Sequence, residues 1–389
     1  MSAPAATPRR YGNLVAAIAT VASCDIAMGL TLQLLPLLME QRGIPAWIMG
    51  ANAAMGPLGI LMAGPFLPSL ISRLGSKRIV IGVMALMIAA LLALKLAPSI
   101  WLWFPIRFVF GISAGTLFTV SEAWVLTFAG DGNRGRIMGL YVSVLAMTFS
   151  VGPLILPFTG IDGWTPWLIG IACIAASALP LAFVKVSDDV FRQERSGGFF
   201  RFIAKAPLLL FAVGAATLFD SVFISFFTIF GLRHGLELAV ASRILGAGII
   251  GNTLLFYPMG LLADRWSRIG VVAVTATLTI VFSLSLIPLI DSWAIWPLTI
   301  LLSTCAFGVY VVALAILGDS FKGPDLISGS AAFAAMWGVG GLFGPPIAGT
   351  AIDAFGINAM PVILAVFYAL LLAGIARSGG RLVRESASG

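Results

Sequence analysis

Charge is scarce in this chain. Only 10% of its 389 residues are Asp, Glu, Lys or Arg, against about 25% in a soluble domain, which excludes a water-soluble globule. Histidine is almost missing. His234 stands alone in a loop, where it is read as solvated, so no histidine proton relay can be built. Cys24, Cys173 and Cys305 fall inside apolar runs at spacings that suit no metal, and are read as small packing residues. No H-E-x-x-H occurs, and no G-x-S-x-G or paired-aspartate arrangement has the partners its chemistry needs. A G-x-x-x-x-G-K-[ST] phosphate loop is also absent. These absences argue against an enzyme and against a nucleotide-driven pump. They leave no catalytic residues, no metal site and no cofactor to assign.

What is present is long apolar runs. Hydrophobic residues make up 60% of the chain and mean hydropathy is +1.05. A spanning helix needs about 20 such residues, and only helices or closed barrels satisfy every backbone group in lipid. The period-2 pattern of a barrel is absent, so the expected fold class is an all-α membrane protein. Twelve spans are expected, at 11–38, 45–71, 78–97, 100–128, 136–158, 164–186, 207–230, 240–262, 270–290, 293–317, 327–350 and 357–376. No small-residue cleavage site follows the first apolar run, which is therefore expected to be a retained helix. Arg42, Lys95, Arg233 and Arg243 fall on one side and Arg107 inside a span, while the rest of the 23 basic residues fall on the other side. Basic loops stay cytoplasmic, so both termini are expected in the cytoplasm of a multi-pass protein in the cytoplasmic (inner) membrane. The net charge of +7 is then mostly a topology signal. Membrane lipid is the implied surroundings, and nucleic acid is not an implied partner.

A polar linker, 187–206, separates residues 1–186 from residues 207–389, six spans each. Shifting by 192 positions carries Gly152-Pro153 onto Gly344-Pro345, Trp101 onto Trp293, Pro105 onto Pro297 and Arg73 onto Arg265. Several matches sharing one gap-free offset indicate a duplicated six-helix unit. Six is even, so both copies enter the membrane from the same side, as a parallel repeat.

Within that frame, Gly260-Leu-Leu-Ala-Asp264-Arg265-Trp-Ser-Arg268 resembles the G-x-x-x-D-R-x-G-R/K signature of the major facilitator superfamily. The first copy is degraded: Pro68 and Ser72 stand where Gly and Asp belong, while Arg73, Gly75 and Lys77 remain. Arg107-x-x-x-Gly111-x-x-x-Gly115 looks like the superfamily's fourth-helix motif. Gly152-Pro153 and the Gly338–Gly349 stretch containing Gly344-Pro345 resemble its glycine-proline motif. The region from Ile106 through Tyr141 is similar to the YcaD-like bacterial branch. The resemblance covers the whole chain. It implies two pseudo-symmetric six-helix bundles, a monomer, and alternating access about a central cavity lined by spans one and seven. It also implies that Asp264 latches onto the start of span five near Arg134 and Arg136, with Ser72 making a weaker counterpart.

Charges inside spans are costly in hydrocarbon and mark function or a buried pair. Asp25 lies near the middle of span one and Asp220 near the middle of span seven. Shifted by 192, Asp220 falls on Met28, about one helical turn from Asp25. The two acids are expected at one depth and suited to proton coupling, with a static pair to a hydroxyl or carbonyl as the alternative. Arg107 and Glu122 share span four but lie too far apart along it to pair. Arg107 is either a cavity residue or a packing anchor. Glu122 is expected to bond Arg73 or Arg136 rather than carry protons. The cavity is expected to be lined by Met28, Gln33, Asn52, Phe219, Ser221, Phe223, Phe226 and Asn252, a set leaning towards neutral or cationic amphipathic small molecules. Proton-coupled export by antiport leads, with symport or uniport of a metabolite, or a non-transporting sensor or scaffold, as alternatives.

Overall fold

A computed structural model describes residues 8–128, 134–184, 202, 204–322 and 324–379, and every regular element among them is helical. In chain order these are α1 (Pro8–Gln41), α2 (Ala46–Ala63), α3 (Leu67–Leu74), α4 (Ser76–Leu96), α5 (Ile100–Phe128), α6 (Arg134–Thr159), α7 (Thr165–Ala176) and α8 (Ala178–Phe183). Then follow α9 (Pro207–Arg233), α10 (Leu238–Arg265), α11 (Arg268–Leu289), α12 (Ile295–Ser320), α13 (Pro324–Phe355) and α14 (Ala359–Arg377). Among the described residues, 11 helical stretches are long and apolar enough to cross a membrane. The eighth span is α10, a 28-residue helix whose described apolar stretch is Leu238–Gly251. The chain is a multi-pass α-helical membrane protein.

Two spans expected to be continuous are interrupted. The second is α2, a 3-10 turn at Gly64–Phe66, then α3. Pro65 and Pro68 each remove a backbone donor at this point, so the α-helical ladder cannot pass through unbroken. The sixth divides at Ser177 into α7 and α8, where the Ser177 hydroxyl donates to the Ile174 carbonyl at 2.6 Å. Most of the expected linker lies outside the described residues.

The described chain forms two compact units that part near residue 194. Residues 35–54 are the exception, clustering with the C-terminal unit. Inside the units the 192-residue offset reappears as contact register. In the first unit a Cβ on Gly59 would lie 2.3 Å from the Phe108 carbonyl, and one on Gly111 would lie 2.2 Å from the Gly56 carbonyl. In the second, Gly251 faces Ile300 and Gly248 faces Ser303, and each of these four positions is 192 beyond its counterpart. A second crossing repeats the rule: Gly152 sits against Ile26 and Leu30, and Gly344 against Leu218 and Val222. Both units therefore use small residues at matching positions to bring helices into close contact.

The turn between α3 and α4 rests on Gly75, whose φ of 82° is strained for any residue with a Cβ. Gly75→Ala is expected to cost about 1–3 kcal/mol, because its φ of 82° with ψ of 143° is a conformation close to glycine's own region, read as a lower melting temperature in detergent. Gly82→Ala on α4 meets nothing within 4 Å and is expected to be neutral or slightly stabilising.

Candidate functional site

Asp25 on α1 is 3% exposed. Its Oδ2 accepts from the Thr148 hydroxyl of α6 at 3.4 Å. That hydroxyl lies closer to the Val144 carbonyl, at 2.9 Å, so the carboxylate gets the weaker share of one proton. The bond sits beside a tight crossing of α1 and α6, where a Cβ on Gly29 would meet the Phe149 carbonyl at 2.1 Å. Thr148 was not among the expected site residues.

The equivalent place in the second unit holds Thr217 and Gly340, the residues 192 beyond Asp25 and Thr148. Thr217 donates to the Met336 carbonyl at 2.9 Å, and a Cβ on Gly340 would lie 2.3 Å from its hydroxyl. The acid of this unit, Asp220, lies three residues further along α9 and is half-buried. Next to it, Phe219 packs edge-on against Tyr368 at 6.3 Å, and Tyr368 donates to the Ala306 carbonyl at 2.8 Å.

Arg107 is 5% exposed and shares the glycine face of α5. A Cβ on Gly56 would come 4.0 Å from its Nε, so the α2 glycine leaves room for the guanidinium. A Cβ on Gly115 would lie 2.8 Å from Ile60 Cα, which makes this face a packing seam with α2. Gly111 to Gly115 also spells G-x-S-x-G, but Ser113 is mid-helix and donates to the Val109 carbonyl at 2.9 Å. It is not on the strand-to-helix turn a hydrolase needs. Glu122 is exposed, while its neighbour Ser121 is buried and hydrogen-bonded to Tyr141 at 2.8 Å.

Among the expected lining residues, Met28 and Ser221 are half-buried, and Ser221 donates to the Thr217 carbonyl at 2.9 Å. Gln33, Asn52, Phe219, Phe223 and Phe226 are buried. Phe219, Phe223, Phe227 and Phe230 form a ladder of rings along α9 that ends on His234. Asn252 lies on α10, with its side chain outside the described set. A second aromatic group was not anticipated. Phe307 and Tyr310 of α12 meet Phe333 and Trp337 of α13, with ring centroids 5.6 to 6.3 Å apart. Trp337 is 37% exposed.

The signature residues divide by what is described. The surroundings of Gly260 and the side chains of Asp264, Arg134 and Arg136 lie outside the described set, so the expected Asp264 latch does too. Arg265 and Arg73 are exposed. Arg268 pairs with Asp319 and donates to the Ala315 carbonyl, tying the start of α11 to the end of α12. Lys77 Nζ donates to the Ala182 and Val184 carbonyls at 3.1 Å each, covering end carbonyls of α8 that no helical amide reaches. The described residues place no three His, Cys, Asp or Glu side chains where they could hold a metal ion.

The chain matches the family described as the Major Facilitator Superfamily over residues 16–314. It is 26% identical over 266 residues to the uncharacterized MFS-type transporter YfkF of Bacillus subtilis. That match covers 65% of this chain and 66% of YfkF, just under two thirds of its length. The uncharacterized MFS-type transporter YcaD of Salmonella typhimurium is 25% identical over 370 residues, 92% of this chain and 93% of that one. Among solved structures, the nucleoside transporter NupG superposes with a TM-score of 0.77 at 13% identity, covering 96% of this chain and 100% of its own. A bacterial homologue of the human lysosomal transporter Spinster, inward-facing and unoccupied, gives 0.72 at 14% identity, over 95% and 93% of the two chains. These structures share the fold. A family match across most of the chain, on two units with one internal contact register, places this protein in the Major Facilitator Superfamily, as a secondary transporter and not an enzyme.

Proposed function

We propose that this transporter works by alternating access in the cytoplasmic membrane and exports a neutral or cationic amphipathic small molecule in exchange for protons. In this reading it acts as a monomer with both termini in the cytoplasm. The observation that carries the reading is Asp25, buried at a helix crossing with a hydroxyl as donor and, among the described residues, no cation paired with it. A carboxyl group held inside a membrane bundle without a counter-ion is a place where a proton can ride. Asp220, about one turn away in repeat terms, is the second carrier. The glycine-proline segments of α6 and α13 are the kind associated with antiporters in the family and favour exchange. The aromatic group with its part-exposed Trp337 offers ring faces that suit an apolar or cationic solute.

The test begins with a thermal-stabilisation screen of the detergent-purified protein against neutral, cationic and anionic amphipathic compounds. Neutral or cationic compounds are expected to stabilise it, and Trp337→Ala is expected to remove that shift without lowering the melting temperature of the ligand-free protein. Stabilising compounds are then followed in proteoliposomes under an imposed pH gradient. Flux that stops when the gradient is dissipated supports exchange with protons. Flux indifferent to the gradient rejects proton coupling, and hits confined to anions reject the substrate class.

A further inference from the structure

Helix α2 begins after Pro45, which has no side-chain acceptor to cap it. The first backbone amides of a helix have no partner inside it, yet those of Ala46 and Trp47 are both satisfied. They donate to the two carboxylate oxygens of Asp353, at 2.9 and 2.7 Å, from the far end of α13. A carboxylate at the positive end of a helix, taking two charge-assisted bonds, is a strong arrangement. A second one stands at the same end of the bundle. Arg233, the last residue of α9, makes a fork with Glu40, the Nε to Oε1 bond at 2.7 Å and the Nη2 to Oε2 bond at 2.8 Å.

Beneath these bonds the backbones of α2 and α13 touch. A Cβ on Gly349 would sit 2.2 Å from the Ala46 carbonyl, and one on Gly50 would sit 2.1 Å from the Pro345 carbonyl. Residues 35–54 thus belong to the C-terminal unit although they lie in the N-terminal half of the sequence. Residues 35–54 are tied to the rest of the C-terminal unit here by ionic groups that water reaches: the side chains of Arg233 and Glu40 are 33% and 22% exposed, and Asp353 is exposed. Hydrated ionic bonds trade partners with water at small net cost, whereas a buried apolar seam does not. The arrangement is strong enough to hold an end shut and wet enough to release it.

We propose that Asp353, Glu40 and Arg233 form the clasp of the gate at this basic-poor end, which the placement of Lys and Arg puts outside the membrane. They are positioning residues for the transport cycle. The clasp holds residues 35–54 against α9 and α13, and its release exposes the start of α2. The proposal needs the transporter function of the family and is independent of proton coupling and of the substrate.

Ala46 is 1% exposed, so a thiol placed there reacts only when the clasp opens. The Ala46→Cys protein in nanodiscs is treated with a maleimide, and the site of labelling is read by mass spectrometry. Native Cys24 and Cys305, both buried, serve as internal controls. Glu40→Gln with Asp353→Asn is expected to speed labelling at Ala46→Cys about tenfold, with Cys24 and Cys305 unchanged. Exchanging the charges, Glu40→Arg with Arg233→Glu, is expected to return labelling to the slow rate. If Ala46→Cys does not accumulate, Met49→Cys, also 1% exposed, takes its place. Equal rates with and without the substitutions overturn the proposal. So does a rise shared by Cys24 and Cys305, which means loosened packing and not a gate.

Discussion

Gly152→Val is expected to leave almost no folded protein in the membrane fraction, while Gly344→Ala at the equivalent place in the second unit is expected to be tolerated. The two glycines stand at the same repeat position but meet different atoms. A Cβ on Gly152 would lie 2.2 Å from the Leu30 amide nitrogen, 2.5 Å from the Gly29 carbonyl carbon and 2.6 Å from the Ile26 carbonyl oxygen. All three are backbone and cannot turn aside. Only moving α1 off α6 makes room, and that opens the crossing along its length and pulls Thr148 away from Asp25. Overpacking a formed core costs about 1–3 kcal/mol where side chains can adjust, and here they cannot. On Gly344 the first atoms met are Leu218 Cγ at 3.1 Å and Val222 Cγ2 at 3.2 Å, with the Leu218 carbonyl also at 3.2 Å. A shift of a few tenths of an ångström accommodates a methyl there. Membrane-fraction yield and detergent melting temperature read the difference. Equal tolerance at both sites would show that the α1–α6 crossing is looser than these distances.

That asymmetry marks where sequence reading stopped. The spans were legible because a helix in lipid needs only a long apolar run, which composition shows directly. The duplication was legible because Gly152-Pro153, Trp101 and Arg73 recur at one spacing, and the same spacing governs the contacts of Gly56 with Gly111 and of Gly248 with Ser303. The breaks at Gly64–Phe66 and at Ser177 were not read, because hydropathy is blind to a lost backbone donor. Pro65 and Pro68 were in view, but they lay inside an apolar run. Thr148, Tyr310, Trp337 and Asp353 were missed for another reason. Each acts through a partner more than twenty residues away or in another span, and threonines, aromatics and terminal acids are too common along these helices to stand out alone. The faces that helices present to one another are also hard to read where nearly every position is apolar. Asp25 and Asp220 could be found because a charge in such surroundings is rare. The hydroxyl that holds Asp25 could not.

Asp25→Asn is expected to reduce gradient-driven flux of the compounds found by thermal screening to the level of empty liposomes, with the melting temperature unchanged. Asn matches Asp in volume, and its Oδ1 still accepts from Thr148, so the α1–α6 crossing keeps its packing and its hydrogen bond. What disappears is the exchangeable proton. Thr148→Val is the complementary change. It preserves shape but removes a donor that Asp25, 3% exposed, shares with the Val144 and Leu145 carbonyls. The carboxylate holds the longest of the three contacts, at 3.4 Å, so the cost is expected at the low end of the range of about 1–3 kcal/mol for an unsatisfied buried polar group. That variant is expected to melt lower while retaining driven flux. The pair therefore separates the two roles of one site, with stability following the hydroxyl and coupling following the acid. Asp220→Asn extends the test to the second unit: loss of driven flux in both Asn variants means that both acids carry protons, and loss in Asp25→Asn alone assigns transport to one. Undiminished driven flux in Asp25→Asn, in protein of normal stability, would reduce Asp25 to a static partner of Thr148 and remove the main support for proton exchange.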